Sequence, residues 1–232
     1  TGVNRHTIRR LAIVNRGEAA IRCIRAVKTL AAEDGRDIQA IALYTDVDRD
    51  APFVRHAHFA VKLPSPHGAV PAYLDHENLL RALHEARADA VWPGWGFVAE
   101  DPIFVSRLQA EGILFLGPRA DAMRAQGYKI AAEEFAERTG VPVTPWIDGV
   151  VADEKEAARQ AGRIGYQVVV KAAAGGGGRG IRMVDGPGEL AEAFRSAAAE
   201  AKGAFGDDRL FLEKKVSGGR HIEVQIAADG QG

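Results

Sequence analysis

Cysteine is nearly absent: Cys23 is the single thiol in 232 residues. One thiol closes no intrachain disulfide and builds no cysteine metal cluster, a usage that fits a reducing compartment. A surplus of positive charge is missing too. Lys plus Arg total 30 against 31 Asp plus Glu, and a net charge of −1 leaves no electrostatic footprint of the kind that gathers along nucleic acid. No stretch nears the roughly 18 apolar residues of a membrane span. The apolar run LAIV that follows the basic N-terminal residues has four residues, too short for the core of a signal peptide. The expectation is a cytoplasmic protein with no nucleic-acid and no membrane partner. What remains is a globular chain, 47% hydrophobic and 26% charged, long enough for one large domain or two modest ones.

Short apolar runs alternate with helix-like segments. RRLAIVN (9–15) and IQAIALY (38–44) read as strands, and the segment between them sets Ile21, Ile24, Val27 and Leu30 at helical spacing before Gly35. That is a βαβ unit. A strand HFAVKL (58–63), a helix at 75–88 behind an acidic cap, a strand DAVWP, a helix near 102–111 and a strand ILFLG (113–117) continue the pattern. Strands spaced by helices point to an open, mostly parallel sheet covered on both faces, which binds ligands at the carboxyl ends of its strands. The loops NRGEA (15–19) and PGWGFVAED (93–101) fall at those ends, as cleft walls or as plain turns. After Gly117 come helices at 119–126 and 129–139, the Pro- and Gly-rich connection GVPVTPWIDGV, and a second α/β unit with a helix at 153–163, strands YQVVVK and GIRMV, an Ala-rich helix, and strands RLFLEKKV and RHIEVQIAA.

The stretch VVVKAAAGGGGRGIRMV (168–184) carries the strongest chemical signal. Glycines 175–178 strip every Cβ from a loop between two stiff strands, so consecutive N–H groups can approach an anion such as phosphate. A hairpin turn is the plainer reading, and two glycines normally suffice for one. The G-x-G-x-x-G spacing at Gly175, Gly177 and Gly180 lacks the helix that a dinucleotide fingerprint requires, and no Lys-Ser or Lys-Thr pair follows for a Walker loop. Lys171, at the end of VVV, either meets a nucleotide phosphate or lies at a solvated strand end. Lys129 opens a helix against the dipole, a conflict that a shared anion would relieve. In RHIEVQI, His221, Glu223 and Gln225 alternate with Ile222, Val224 and Ile226, which gives a solvated strand face or a wall of a nucleotide pocket.

LAIVNRGEAAIRCIRA, VWPGWGFVAEDPIF, ILFLGP, VVVKAAAGGGGRGIRMV and LFLEKKVSGGRHIEVQIAADGQG, in this order, resemble the biotin carboxylase component or domain of biotin-dependent acyl-CoA carboxylases, within the ATP-grasp superfamily. The resemblance runs over nearly the whole chain. It implies a Rossmann-like parallel-sheet N-terminal domain at 1–127, an ATP-grasp lid subdomain with its linker helices at 128–212, and at 213–232 the first strands of an incomplete ATP-grasp C-terminal subdomain. It implies the conversion of ATP and bicarbonate to carboxyphosphate and ADP, then carboxylation of biotin on a carrier protein or domain, with a carboxyltransferase as further partner and a homodimer as the form of the complete protein.

Carried over by residue, the resemblance implies ATP phosphate contacts for Lys129 and Lys171, and a loop closing over the phosphates at Gly177 and Gly178. It assigns the adenine hinge to Glu213, Lys214, Lys215 and Val216, read mainly through backbone groups, sugar and phosphate contacts to His221, and a deeper catalytic carboxylate to Glu223. Trp92-Pro93-Gly94-Trp95-Gly96-Phe97 stands where many biotin carboxylases have His-Pro-Gly-Tyr-Gly-Phe, and Tyr128 where they have Asp. With Trp146, the tryptophans look closer to the acetyl-CoA carboxylase branch, hence to fatty acid biosynthesis. The family's Mg²⁺-binding glutamates, bicarbonate-binding lysine and arginine, general base and biotin-contacting arginine would all match positions beyond Gly232, so no metal ligand is expected within these residues and the chain alone is expected to be inactive. Two other readings are another ATP-grasp ligase of the carbamoyl-phosphate-forming type and a non-catalytic nucleotide-binding module.

Overall fold

A computed structural model describes residues 7–127, 129–147, 149–174 and 180–228, apart from the side chains at 126, 129 and 205. The chain divides into two compact units, Thr1–Gly127 and Tyr128–Gly232.

The first unit is a five-stranded parallel sheet. Its elements run β1 (Arg10–Ile13), α1 (Gly17–Asp34), β2 (Gln39–Tyr44), a 3₁₀ turn (Asp46–Asp48), α2 (Pro52–His56), β3 (Phe59–Lys62), α3 (Ala69–Ala72), α4 (His76–Glu85), β4 (Ala90–Trp92), α5 (Pro102–Ala110), β5 (Leu114–Phe115) and α6 (Ala120–Gly127). The strand order is β3-β2-β1-β4-β5, every neighbouring pair parallel. Because helices cover both faces, β1 and β2 bury consecutive residues instead of alternating ones. One core joins Leu11, Ile13 and Ala42 to Cys23, Ile24 and Val27 of α1 and to Phe53 of α2. The other packs Ile41, Leu43 and Val91 against Leu79 and Leu83 of α4 and Phe104 and Leu108 of α5.

Local chemistry sets the helix ends. Gly35 closes α1 in the left-handed conformation. The Asp75 side chain accepts from Asn78 N, and Asp101 from Ile103 N and Phe104 N, capping α4 and α5 at their free amides. The buried stripe of α1 is Ala19, Ala20, Cys23, Ile24 and Val27; Ile21 is half-buried and Leu30 exposed. Steps of three fall about 60° short of a full turn, so an i, i+3 series slides off the buried face.

The order reverses between β1 and β4, and the loops after these two strands flank that switch point. Buried Asn15 donates from Nδ2 to the carbonyls of Pro93 (2.7 Å) and Trp95 (2.9 Å). Arg16 makes a two-pronged pair with buried Asp48 at 2.7 and 2.6 Å. Gly94 sits at φ 64°, and a Cβ there would meet the Trp92 ring at 2.8 Å and Asn15 Nδ2 at 2.9 Å. Phe97, at φ 48°, lies over Tyr73 with ring centroids 4.9 Å apart.

The second unit holds α7 (Lys129–Arg138), α8 (Glu154–Ile164), β6 (Val168–Ala172), β7 (Ile181–Val184), α9 (Pro187–Phe205) and β8 (Leu210–Lys214). Its sheet is antiparallel in the order β7-β6-β8. β8 runs unbroken through the expected 212/213 boundary. Helices α8 and α9 share one core with Val168, Val170 and Ala172, meeting it through Ala157, Ala161, Ala197 and Ala201. On the free side of β8, Ile147 N donates to Leu212 O at 3.0 Å and Val151 N to Leu210 O at 2.8 Å, so Trp146, Ile147 and Val151 edge the sheet.

The expected strand at 220–228 does not form; these residues are irregular, with Ile222, Val224 and Ile226 at least 73% exposed. Their period-two pattern suits a strand, but no neighbour among the described residues supplies the ladder bonds.

Gly94→Ala is expected to destabilise the first unit by about 1–3 kcal/mol, since both the positive φ and the lack of space oppose a methyl group. Urea unfolding followed by tryptophan fluorescence measures it, and an unchanged midpoint would contradict the crowding at Gly94.

Candidate functional site

Strand alternation builds the site. Val168, Val170 and Ala172 face the helices, which leaves Val169 and Lys171 on the opposite face of β6. Lys171 stands opposite Phe211 in the register with β8, and Glu213 lies two residues further on that strand. The two form a diagonal cross-strand pair. The Lys171 ammonium donates to the Glu213 carboxylate; the lysine side chain is 27% exposed and the glutamate 10%. A carboxylate so enclosed needs its cation. Of the two readings of Lys171, the solvated strand end is set aside, and its partner within this chain is Glu213.

The same face has aromatic and acidic neighbours. Trp146 bridges to Glu213, stands edge-on to Phe211 at 6.4 Å, and donates from Nε1 to Glu137 Oε1 at 2.9 Å. Glu133 lies one turn before Glu137 on α7. Burial, and then the charge of Glu213, raise its carboxyl pKa above the usual range, while Lys171 pulls the other way.

β6 leads directly into the glycine loop. Gly175–Arg179, with the loop residues Gly177 and Gly178, lie outside the described residues, as does the Lys129 side chain. The far end of the loop is anchored: Gly180 N donates to Glu200 Oε2 at 3.0 Å, Arg182 Nη1 reaches the same oxygen at 2.8 Å, and Ala172 N donates to Gly180 O at 2.9 Å. Gly180, at φ 66°, is held so close to Ala172 that a Cβ would come within 2.7 Å of that side chain.

Besides Glu213, two more of the four expected hinge side chains are employed inside the unit. Lys214 Nζ donates to the carbonyls of Gly165 (2.8 Å) and Tyr166 (2.7 Å), neutralising the end of α8. Lys215 Nζ lies 3.3 Å from Asp185, and its amide donates to Gln167 O at 3.0 Å. Val216 is exposed. His221 and Glu223 pair at 2.9 Å in the exposed segment, and among the described residues no hydrogen bond or ion pair joins either to Lys171 or Glu213.

Sequence reasoning missed Glu133, Glu137 and Glu200. The signal for the first two was present: positions 129, 133 and 137 recur at helical spacing on α7. In the first unit, the glycines of the β4 loop serve turns at positive φ, while Trp95, at its tip, is 61% exposed. Among the described residues no group of three or more His, Cys, Asp or Glu could hold a metal ion, and no helix is long and apolar enough to cross a membrane.

Two outcomes follow from this geometry. Lys171→Met is expected to cost about 1–2 kcal/mol, below the ~3–5 kcal/mol of a fully buried pair because the lysine is partly solvated. Adding Glu213→Gln should recover most of that loss in a urea double-mutant cycle, and additive losses would show that the pair is not coupled. Burial pushes the Cys23 thiol up to about 12, so it should resist alkylation at pH 8 in the native chain and react only in urea; rapid native labelling would contradict its burial.

Comparison with known proteins points the same way in both units. Residues 7–123 match the family model "Biotin carboxylase, N-terminal domain", and residues 128–232 match "Carbamoyl-phosphate synthase L chain, ATP binding domain". The chain is 40% identical over 230 residues to the mitochondrial propionyl-CoA carboxylase alpha chain of Homo sapiens, covering 99% of this chain and 30% of that protein. Among solved structures, it is similar to the biotin carboxylase–βγ-ATP complex from Campylobacter jejuni, with TM-score 0.83 and 37% identity over 90% of this chain and 45% of that one. It is equally similar to the biotin carboxylase domain dimer of Hydrogenobacter thermophilus 2-oxoglutarate carboxylase, solved with MgADP, ADP and bicarbonate: TM-score 0.85, 37% identity, and coverage of 92% and 45%. The chain thus spans less than half the length of these relatives.

Proposed function

The chain belongs to the biotin carboxylase family, and from that premise we propose that it supplies the nucleotide-clamping part of an enzyme that carboxylates biotin at the expense of ATP. In the proposed reaction a bicarbonate oxygen attacks the γ-phosphorus, ADP leaves, and carboxyphosphate forms. Carboxyphosphate then releases phosphate as a biotin ring nitrogen gains the new C–N bond. A carboxyltransferase passes the group to an acceptor.

One observation carries this reading: Lys171, where β6 enters the glycine loop, is bonded to Glu213 on the strand that begins the expected adenine hinge. A single strand pair thereby joins the cation proposed for the phosphates to the strand that enters the expected hinge. In this proposal Lys171 and Lys129 take the phosphates and Gly177 and Gly178 give the loop its close approach. Glu213 to Val216 present backbone groups to adenine, an assignment supported by the internal duties of the Lys214 and Lys215 side chains. His221 would contact sugar and phosphate, and Glu223 would stand deeper in the site. Mg²⁺ bound with the nucleotide would neutralise the transferring phosphate. The described residues offer no cluster of ligands for it, so no step is assigned to a metal held by this chain.

Two of the three tryptophans behind the acetyl-CoA-type acceptor have folding duties, Trp92 in the core beside β1 and Trp146 on Glu137. They carry correspondingly little information about the acceptor. The homodimeric state of the complete protein, its carrier-borne biotin and its cytoplasmic location belong to the same proposal. The match of residues 128–232 favours a second reading, in which ammonia rather than biotin attacks carboxyphosphate.

The test is ATP hydrolysis by the longer protein that contains this chain. Bicarbonate-dependent turnover that rises with free biotin is expected, falling at least ~100-fold in Lys171→Ala, on the scale of lost electrostatic stabilisation. Turnover that ignores biotin but responds to ammonia would select the second reading. The 232 residues alone are expected to bind Mg-ATP without turnover.

A further inference from the structure

Trp146 takes no part in the nucleotide contacts proposed above, yet its own contacts run to the elements that carry them. Its backbone is fixed on the free edge of β8. Lys214 N donates to Pro145 O at 2.7 Å and Ile147 N to Leu212 O at 3.0 Å, which sets Trp146 directly opposite Glu213. Residues opposed in an antiparallel pair share a face, so the indole lies on the face of the sheet that bears Glu213 and Lys171. There it meets Phe211 edge-on at 6.4 Å, and Phe211 is the residue opposite Lys171 in the register of β6 with β8. Its ring nitrogen donates to Glu137 Oε1 of α7 at 2.9 Å.

Resting on the nucleotide reading above, we propose that Trp146 and Glu137 are positioning residues that latch α7 to β8, and thereby hold the two cations assigned to the phosphates, Lys129 and Lys171, at one mutual spacing. Lys129 begins α7, and Glu137 lies two turns further along it. Ile130, near that beginning, packs against the core of this unit, as does Trp146. A helix gripped near both ends is fixed in direction as well as position, whereas one gripped at Ile130 alone is free to pivot there. Much of the rest of α7 is exposed, Phe135 and Arg138 included, so little burial shares the load with the Trp146 bond. Two cations bind one polyphosphate well only if they already stand at the separation of its oxygens, because ordering them on arrival subtracts from affinity.

Water competes for the exposed Glu137 carboxylate, so the bond contributes modestly. A latch that pre-sets cations acts on bound ATP and on the transition state alike. Its loss therefore raises the KM for ATP and leaves kcat in place. Glutamine at 137 keeps an acceptor oxygen for the indole N–H and alanine keeps none, while phenylalanine at 146 keeps a ring beside Phe211 but has no N–H to donate.

Bicarbonate-dependent ATP hydrolysis by the longer protein that contains this chain tests the latch, with kcat and the KM for ATP measured for wild type, Trp146→Phe, Glu137→Ala, Glu137→Gln, Lys171→Ala and the double variant Trp146→Phe/Glu137→Ala. The KM for ATP should rise about three-fold in Trp146→Phe and in Glu137→Ala, the range of one solvent-exposed hydrogen bond, with no further rise in the double variant and kcat unchanged. Glu137→Gln should restore the wild-type KM. Turnover that depends on Lys171 but keeps a wild-type KM in both single variants overturns this inference and leaves the nucleotide reading intact. So does a rise that multiplies in the double variant, or a Glu137→Gln as impaired as Glu137→Ala. A loss of kcat or of stability with the KM unmoved marks a merely structural pair and also overturns it. Bicarbonate-dependent turnover that is missing in wild type, or indifferent to Lys171→Ala, overturns both readings.

Discussion

The bond between Lys171 and Glu213 is the constraint around which the second unit is arranged. Its partners are 42 residues apart in sequence and meet only because β6 and β8 pair antiparallel in one register. A slip of one residue would carry Lys171 to the face where α8 and α9 pack on Val168 and Val170, where an ammonium has no partner and a high desolvation cost. Charge pairing and hydrophobic burial therefore specify the same register. They also place the start of the glycine loop beside the strand leading to the expected hinge.

In the first unit the analogous role falls to Asn15. A parallel sheet leaves the carboxyl ends of its strands as loops with unpaired backbone carbonyls, and two of these, from Pro93 and Trp95, are satisfied by one carboxamide. The adjacent Arg16–Asp48 pair joins the loop after β1 to the turn after β2. The loops at the switch point are thus braced by side chains from β1's own exit, and a Gly-rich segment that looks pliable in sequence has a defined path.

Element type was largely legible in the sequence. Parallel strands buried on both faces read as short apolar runs, and the acidic cap before α4 and Gly35 after α1 marked ends that the structure keeps. Two kinds of feature were not legible. Short helices such as α2 and α3 are too brief for periodicity to register. The alternation at 220–228 shows that a segment could be a strand but not whether another strand lies beside it. Pairing was the harder part of the site: Lys171 pointed to an anionic partner, but choosing Glu213 needed the register between two strands. The family resemblance, carried by whole motifs, supplied the nucleotide contacts proposed above yet passed over Glu133, because the surroundings of that residue depend on what α7 brings to the sheet.

The seam between α8, α9 and the small sheet is lined by Ala157, Ala161, Ala197 and Ala201. Alanine gives up almost no rotamer freedom on burial and also removes little apolar surface from water. At these four positions the layers are therefore brought close at small entropic cost and for a small hydrophobic return, the rest of the burial coming from Leu190 of α9 and from strand residues such as Val168, Val170, Leu210 and Leu212. The first unit instead buries Leu, Ile, Phe and Tyr side chains over both faces of its sheet. Local opening should then be unevenly distributed, with amide hydrogens of the alanine-seamed unit exchanging with solvent ahead of those in the parallel sheet.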